Sequence, residues 1–263
     1  MPRRVVRTIS EHVFVWRQTE VNAVLALAAE GHASAAISRM TGIPRSTVRD
    51  WRAGRVPKRG ERGGVQRPCP VCEPGSVELP PREYVYLFGL YLGDGYISRS
   101  ARTYCLRFFL DGAYPGIIGA CREALEAIRP TQRAWDQRAS SSRCHIVAMY
   151  SNHWPCLLPQ HGPGRKHERK IALADWQAQL VAEHHEEFVR GLIHSDGCRV
   201  VANDRGVRSV RYHFSNKSED IKALYCRSLE ALGVRWTRPC NQQIAVYRKA
   251  SVAILDGFVG PKR

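Results

Sequence analysis

A chain of 263 residues is long enough for one or two domains with a full core, and its 44% hydrophobic and 24% charged content is that of an ordinary soluble protein, with no apolar run near the roughly 18 residues of a membrane span. Lysine and arginine number 40 against 24 acidic residues, and the resulting formal charge of +16 favours a polyanionic partner. Nine cysteines, an odd number, behind a basic N-terminal stretch without a cleavable apolar core argue against a disulfide framework and predict thiols or metal ligands in a cytoplasmic protein.

The first 68 residues hold 13 Lys and Arg against 5 Asp and Glu, so half of the excess charge lies in the first quarter of the chain. Within residues 1–60, Val21, Val24, Leu25 and Ala28 fall at helical spacing, and Gly31 can end that helix. A second short helix, Ser34 to Met40, stops at Thr41-Gly42. A third follows Pro44, with Val48 and Trp51 on one face and Arg45, Ser46, Thr47 and Arg49 left exposed. This arrangement resembles the helix-turn-helix family of DNA-binding domains. The resemblance implies that the third helix enters the major groove, where those four residues meet bases and phosphates; an ordinary three-helix core with a basic surface is the other reading.

Residues 61–80 are rich in Gly, Pro and Arg and read as a basic linker suited to following a phosphate backbone. Cys69-Pro-Val-Cys72 within it is half of a zinc site, and no second CxxC exists. Cys156, His161 and His167 are the candidates to complete a structural Zn²⁺ site; otherwise Cys69 and Cys72 are two thiols on a surface turn.

Residues 86–97, YLFGLYLGDGYI, form an apolar run ending in a small residue, an aspartate and a glycine. Alone it fits a buried strand before an Asp-Gly turn equally well. The pattern returns at 187–199, EFVRGLIHSDGCR. Aligning Asp94 with Asp196 also aligns Gly89 with Gly191, Leu90 with Leu192, Gly93 with Ser195 and Gly95 with Gly197, and Leu125-Glu126-Ala127 returns as Leu229-Glu230-Ala231. A repeat of about 100 residues is a duplicated domain rather than a solenoid unit, here residues 81–170 and 171–263. Each copy reads as helix, two strands, helix, two strands, helix. The strands are expected near 96–99, 103–110, 133–138 and 144–150, and near 198–202, 208–215, 234–239 and 243–248. The helices between them are expected at 115–128 and 218–232. Tyr212 and Phe214 alternate with Arg211 and His213, which predicts a sheet with one packed face and one polar face.

Leu87-Phe-Gly-Leu-Tyr-Leu-Gly-Asp-Gly95 and Val189-Arg-Gly-Leu-Ile-His-Ser-Asp-Gly197 resemble the motif of the LAGLIDADG homing endonucleases, and the resemblance spans roughly residues 82–263. Leu92 and His194 stand where the family name has its first aspartate. Two motifs in one chain imply the single-chain form: an α+β fold with a duplicated αββαββα core, a pseudo-two-fold saddle over double-stranded DNA, working as a monomer. Gly89, Gly93, Gly191 and Ser195 are small and spaced four apart, so each pair lies on one helix face and lets two helices approach backbone to backbone.

That packing would bring Asp94 and Asp196 together. Two crowded carboxylates call for a divalent cation, and Mg²⁺ or Mn²⁺ suits them, with the carbonyls of Gly93 and Ser195 as further oxygen donors. The resemblance implies phosphodiester hydrolysis with Lys166 and Lys262 beside the two scissile phosphates, each near the end of its repeat in Gly164-Arg-Lys166 and Gly260-Pro-Lys262. Arg107, Arg211, His213 and Lys217 are the sheet and turn residues expected to face DNA. LAGLIDADG domains joined to helix-turn-helix modules also occur in transcriptional regulators that do not cut, so a non-catalytic, nucleoid-associated regulator stands as the alternative. The chain ends carry no splicing junction, and an intein is not expected.

Overall fold

The computed structural model describes residues 18–56, 69–72, 75, 78–138, 143–259 and 262, and the chain divides into two compact units between Arg67 and Pro68. The segments 57–68, 73–74 and 76–77, most of the expected linker, and Gly260-Pro261 lie outside the described residues. No helix among the described residues is long and apolar enough to cross a membrane.

Among the described residues the first unit has three helices: α1 (Gln18–Ala29), α2 (Ser34–Thr41) and α3 (Arg45–Arg52). Gly31 ends α1 at φ 88°, with the N–H groups of Gly31 and His32 returning to the carbonyls of Ala28 and Leu27. Gly42 ends α2 at φ 71°, its N–H donating to Ser38. Val21, Val24, Ile37, Ile43, Val48 and Trp51 form the core. Leu25, expected on the packed face, is instead 39% exposed, and Leu27 packs against the core beside Ala28, the latter as expected. The packed stripe is tilted to one side of the position Leu25 occupies.

The second unit repeats one topology. Its first half comprises α4 (Pro81–Asp94), β1 (Gly95–Arg99), β2 (Tyr104–Asp111), α5 (Pro115–Ile128), β3 (Trp135–Arg138), β4 (Cys144–Tyr150) and the single turn α6 (Trp154–Leu157). A connecting helix, α7 (Asp175–Glu183), follows. The second half comprises α8 (His185–Asp196), β5 (Gly197–Asp204), β6 (Val207–Ser215), α9 (Glu219–Ala231), β7 (Thr237–Cys240), β8 (Gln243–Val246) and α10 (Lys249–Phe258). The antiparallel sheets have orders β1-β2-β4-β3 and β5-β6-β8-β7. Gly95 pairs with Phe108 as Gly197 pairs with Phe214, so the sequence repeat is also a register repeat. The third helix of the first half is the single turn α6, where Pro155 and then Pro159 limit a longer one.

Every residue of α4 from Tyr84 to Leu92 is buried, because α4 packs on α8, α5 and its own sheet at once. Phe88 stacks on Phe188 with centroids 5.7 Å apart, and Arg82 donates to the buried Glu187 at 2.5 Å. A buried relay joins α4 to the segment between the repeats: Gln177 donates to Tyr84 Oη at 2.6 Å, and Tyr84 Oη donates to the Leu157 carbonyl at 2.7 Å.

The two helices meet backbone to backbone. A Cβ on Gly89 would lie 2.5 Å from the Phe188 carbonyl oxygen, and one on Gly191 would overlap the Tyr86 carbonyl and fall 2.9 Å from the Leu90 nitrogen. A rigid main chain cannot yield as a side chain can. Gly191→Ala should therefore destabilise this unit by about 3 kcal/mol or more in urea unfolding. Gly119→Ala is the control: Gly119 sits inside α5 with nothing within 4 Å of the added methyl, and the change should stabilise by roughly 0.5–1 kcal/mol.

Candidate functional site

Helices α4 and α8 cross at Gly89 and Gly191 and end together, so their last residues, Asp94 and Asp196, share one location. A Cβ on Gly93 would press on the Ser195 side chain and lie 2.9 Å from Asp196 Oδ2. Both carboxylates stand at C-terminal helix ends, where unpaired carbonyls already make the potential negative. Burial is the main cause, and the neighbouring Asp196 the next, that pushes Asp94 up to about 7 against the opposing pull of Lys262 and Lys166. Asp196 is also raised by burial, but its Oδ2 accepts a hydrogen bond from Asn216 Nδ2 at 2.6 Å, which favours the ionised form. The Asn216 amide thus favours a charged Asp196, beside which Asp94 is harder to ionise. By strand register the counterpart of Asn216 in the first repeat is Leu110, an apolar residue lining the cleft beside Asp94.

The lysines cap these helix ends. Lys166 Nζ donates to the carbonyls of Tyr91 at 2.5 Å, Gly93 at 3.0 Å and Gly95 at 2.6 Å, and lies 4.8 Å from the Tyr91 ring centre. Burial is the main cause that pulls it down to about 8, opposed by Asp196 and Asp94. Lys262 Nζ lies 3.4 Å from the Ser195 carbonyl and 5.6 Å from the Tyr114 ring centre, and burial lowers its pKa too. Lysine on carbonyl thus repeats across the pseudo-two-fold: Lys166 on Gly93, Lys262 on Ser195.

Two clefts flank the helix pair. One, of about 460 Å³, is lined by Gly93, Lys166, Asp196, Asn216 and Lys217. The other, of about 240 Å³, is lined by Asp94, Asp111, His194, Ser195 and Lys262. Each therefore combines the carboxylate of one motif with the carbonyl-bearing residue and lysine of the opposite half. Asn216 is a site residue that sequence reasoning missed. Its signal was weak, since Asn216-Lys-Ser218 reads as the entry to α9, with Ser218 capping Ile221. His194 was read only as a departure from the motif; its Nδ1 lies 3.0 Å from Tyr86 Oη, and burial pulls it down to about 4, so it is neutral.

The other expected site residues are dispersed. Arg45, Ser46 and Arg49 are exposed on α3 and Thr47 is half-buried. Arg107, Arg211 and His213 project from the outer sheet faces, opposite the buried Phe108, Tyr212 and Phe214. That outer face is less basic than its sequence suggested. Arg211 pairs with Asp204 and lies over the Tyr247 ring, Arg107 donates to Ser98, and Tyr96, Phe109, Tyr150 and Tyr247 are exposed. Cys69 and Cys72 are met by Cys156, as one reading expected, but the fourth member is His153. His161 instead packs against Tyr104, and neither it nor His167 joins the group.

No family model matches the chain, and no curated protein matches it. Its neighbours among solved structures are LAGLIDADG homing endonucleases and the LAGLIDADG domain of WhiA. The homing endonuclease I-WcaI bound to its DNA recognition sequence is 13% identical, with 71% of this chain and 84% of that chain covered and a TM-score of 0.47. I-DmoI in complex with DNA and Mn is 13% identical, with 70% and 98% covered and a TM-score of 0.44. The N-terminal LAGLIDADG domain of DUF199/WhiA is 17% identical, with 72% and 88% covered and a TM-score of 0.42.

The raised Asp94 pKa has a sign that stability can read. The folded state holds this proton more tightly than the unfolded chain, whose aspartate ionises near 3.8. Stability is therefore lost as pH climbs from about 4 through about 7, and the whole cost is present above 7. Asp94→Asn should raise the melting temperature of the metal-free protein at pH 8 by roughly 2–6 °C and have much less effect at pH 5, measured by thermal denaturation.

Proposed function

We propose that this protein is a site-specific, metal-dependent DNA endonuclease of the LAGLIDADG type, with Asp94 and Asp196 as metal ligands and Lys166 and Lys262 as the paired cations beside two scissile phosphates. The observation that carries the reading is the pair of carboxylates on a pseudo-two-fold helix contact, each in its own cleft with a lysine from the opposite half. Two equivalent clefts suit the two antiparallel strands of a duplex. A single chain supplies both, so a monomer suffices.

The donor set suits a hard divalent cation. Asp94 and Asp196 offer carboxylate oxygens, Gly93 and Ser195 offer carbonyls, and burial plus mutual repulsion makes the ionised pair costly until a cation joins it. Mg²⁺ or Mn²⁺ held there supplies charge neutralisation and an activated water for phosphodiester hydrolysis. The remaining chemistry belongs to side chains of this chain. Asn216 fixes the orientation of Asp196 through its 2.6 Å hydrogen bond. Lys166 and Lys262 hold the Gly93 and Ser195 carbonyls and present positive charge to the phosphate as negative charge grows on it. Both lysines have lowered pKa values, yet Lys166, at about 8, still keeps its proton at neutral pH.

Excess positive charge supports the substrate assignment. The chain carries +16, and α3 presents Arg45, Ser46 and Arg49 to solvent on a helix-turn-helix-like unit suited to the major groove. Lys217, exposed at the rim of the larger cleft, would add phosphate contact. A DNA substrate puts the working protein with the nucleoid in the cytoplasm. Retention of both aspartates with both lysines favours hydrolysis over a regulator that only binds.

Asp94→Asn and Asp196→Asn should each abolish double-strand cleavage of a selected target while changing its affinity by less than about tenfold, in paired cleavage and gel-shift assays with and without Mg²⁺. Tight binding by the wild type with no Mg²⁺- or Mn²⁺-dependent cut would instead support the regulator. Lys166→Met and Lys262→Met should each slow one cleft by roughly 10²-fold, so nicked duplex accumulates, on opposite strands for the two variants.

The α3 contribution is separable from the chemistry. Replacing Arg45 and Arg49 together by alanine should weaken binding and reduce the slope of log affinity against log salt by about 2, one phosphate contact per arginine. An unchanged slope in a fluorescence-anisotropy titration would mean that α3 meets another partner.

A further inference from the structure

We infer that Cys69, Cys72, His153 and Cys156 form a structural zinc site that clamps the chain segment preceding α4 onto α6. The four ligand atoms all lie within 4.8 Å of one another, and this is the one group of three or more such residues found among the described residues. Cys72 Sγ is 3.6 Å from His153 Nδ1 and 3.1 Å from Cys156 Sγ. Tetrahedral zinc with Zn–S of about 2.3 Å and Zn–N of about 2.0 Å separates its ligand atoms by about 3.5–3.8 Å. The 3.6 Å separation matches that spacing. The sulfurs at 3.1 Å are closer than unbonded thiols prefer, yet well beyond the roughly 2.05 Å of a disulfide. A set this compact encloses one ion rather than a polynuclear cluster, and three thiolates with one imidazole select zinc among common cellular ions.

The surroundings are built for ligands. Cys69-Pro70-Val71-Cys72 is a tight turn in which the backbone N–H groups of Cys72 and Val71 point at the sulfur of the buried Cys69, the kind of main-chain contact that orients a cysteine ligand. His153 and Cys156 are three residues apart and share one face of the α6 turn. Three contacts fix that turn in place. His153 N–H donates to Ser151 Oγ at 3.2 Å, buried Trp154 donates through Nε1 to the Met149 carbonyl at 2.8 Å, and the Leu157 carbonyl accepts from Tyr84 on α4 at 2.7 Å. A Cys72–Cys156 disulfide would account for only one of the contacts within the group. Pinning residues 69–72 to α6 anchors the chain where it enters α4, the helix that carries Asp94 at its other end. The site touches neither cleft, so the inference stands whether or not the protein cuts DNA.

The experiment uses the full chain purified under reducing conditions. Elemental analysis should find about one zinc per chain, and Co²⁺ exchanged for it should give the thiolate charge-transfer and intense visible bands of a tetrahedral S₃N site. Cys72→Ser and Cys156→Ser should each weaken Co²⁺ binding by roughly tenfold or more. Cys240→Ser, at an exposed cysteine outside the group, should leave it unchanged. His153→Cys should keep about one metal per chain while shifting the visible Co²⁺ bands to the S₄ pattern, a response that a merely structural histidine would not give. If the serine variants fail to fold, wild-type stoichiometry and the His153→Cys spectrum still decide. The inference is overturned by wild-type protein that takes up neither zinc nor Co²⁺ in tetrahedral thiolate coordination. It is equally overturned by unchanged metal content in folded Cys72→Ser and Cys156→Ser, or by a Cys72–Cys156 disulfide in the peptide map of protein alkylated without a reduction step.

Discussion

The contact between α4 and α8 at Gly89 and Gly191 governs the rest of the second unit. With no Cβ on either side, the backbone of one helix rests on carbonyls and N–H groups of the other. Larger residues at these positions would separate the helices and spread their C-terminal ends. The close approach has an electrostatic cost, since it crowds Asp94 and Asp196 at two negative helix ends. Lys166 offsets part of it by occupying three carbonyls at the end of α4. A constraint of main-chain packing thus creates a local demand for positive charge, and the proposed metal chemistry is one way of meeting it.

Duplication makes two clefts, but neither belongs to one repeat. Asp196 stands with Gly93 and Lys166, and Asp94 with Ser195 and Lys262. The two are also unequal. Asn216 bonds Asp196, whereas Leu110 takes the corresponding register position beside Asp94. The amide favours the ionised form of Asp196, and the isobutyl group offers Asp94 no such hydrogen bond.

The start of α4 is held as firmly as its end. Tyr84 joins Gln177 and the Leu157 carbonyl in a buried relay, and the inferred zinc site lies on the other end of the same α6 turn. A helix held at both ends keeps its terminal carboxylate fixed.

Much of this was legible in the sequence because it was written twice. The apolar run of α4 alone has no helical periodicity, since nine consecutive residues are buried on every side, and it could equally have been a strand. Its return 102 residues later with the same glycines and aspartate identified a duplicated helix and its interface, and alternation along Val207–Ser215 gave the sheet's two faces. Local patterning also gave the three helices of the first unit, though not which side of α1 packs, because Leu25 lies at the edge of a stripe whose tilt is set by the partner helices. Tertiary structure alone decided what depends on chain segments meeting from far apart. It chose His153 over His161 and His167 beside the CxxC turn, joined each aspartate with the lysine of the other half, and put Asn216 on Asp196 across 20 residues. Sequence carries a residue's identity and its local period; a site assembled across the pseudo-two-fold exists only once Gly89 and Gly191 have brought the two helices together.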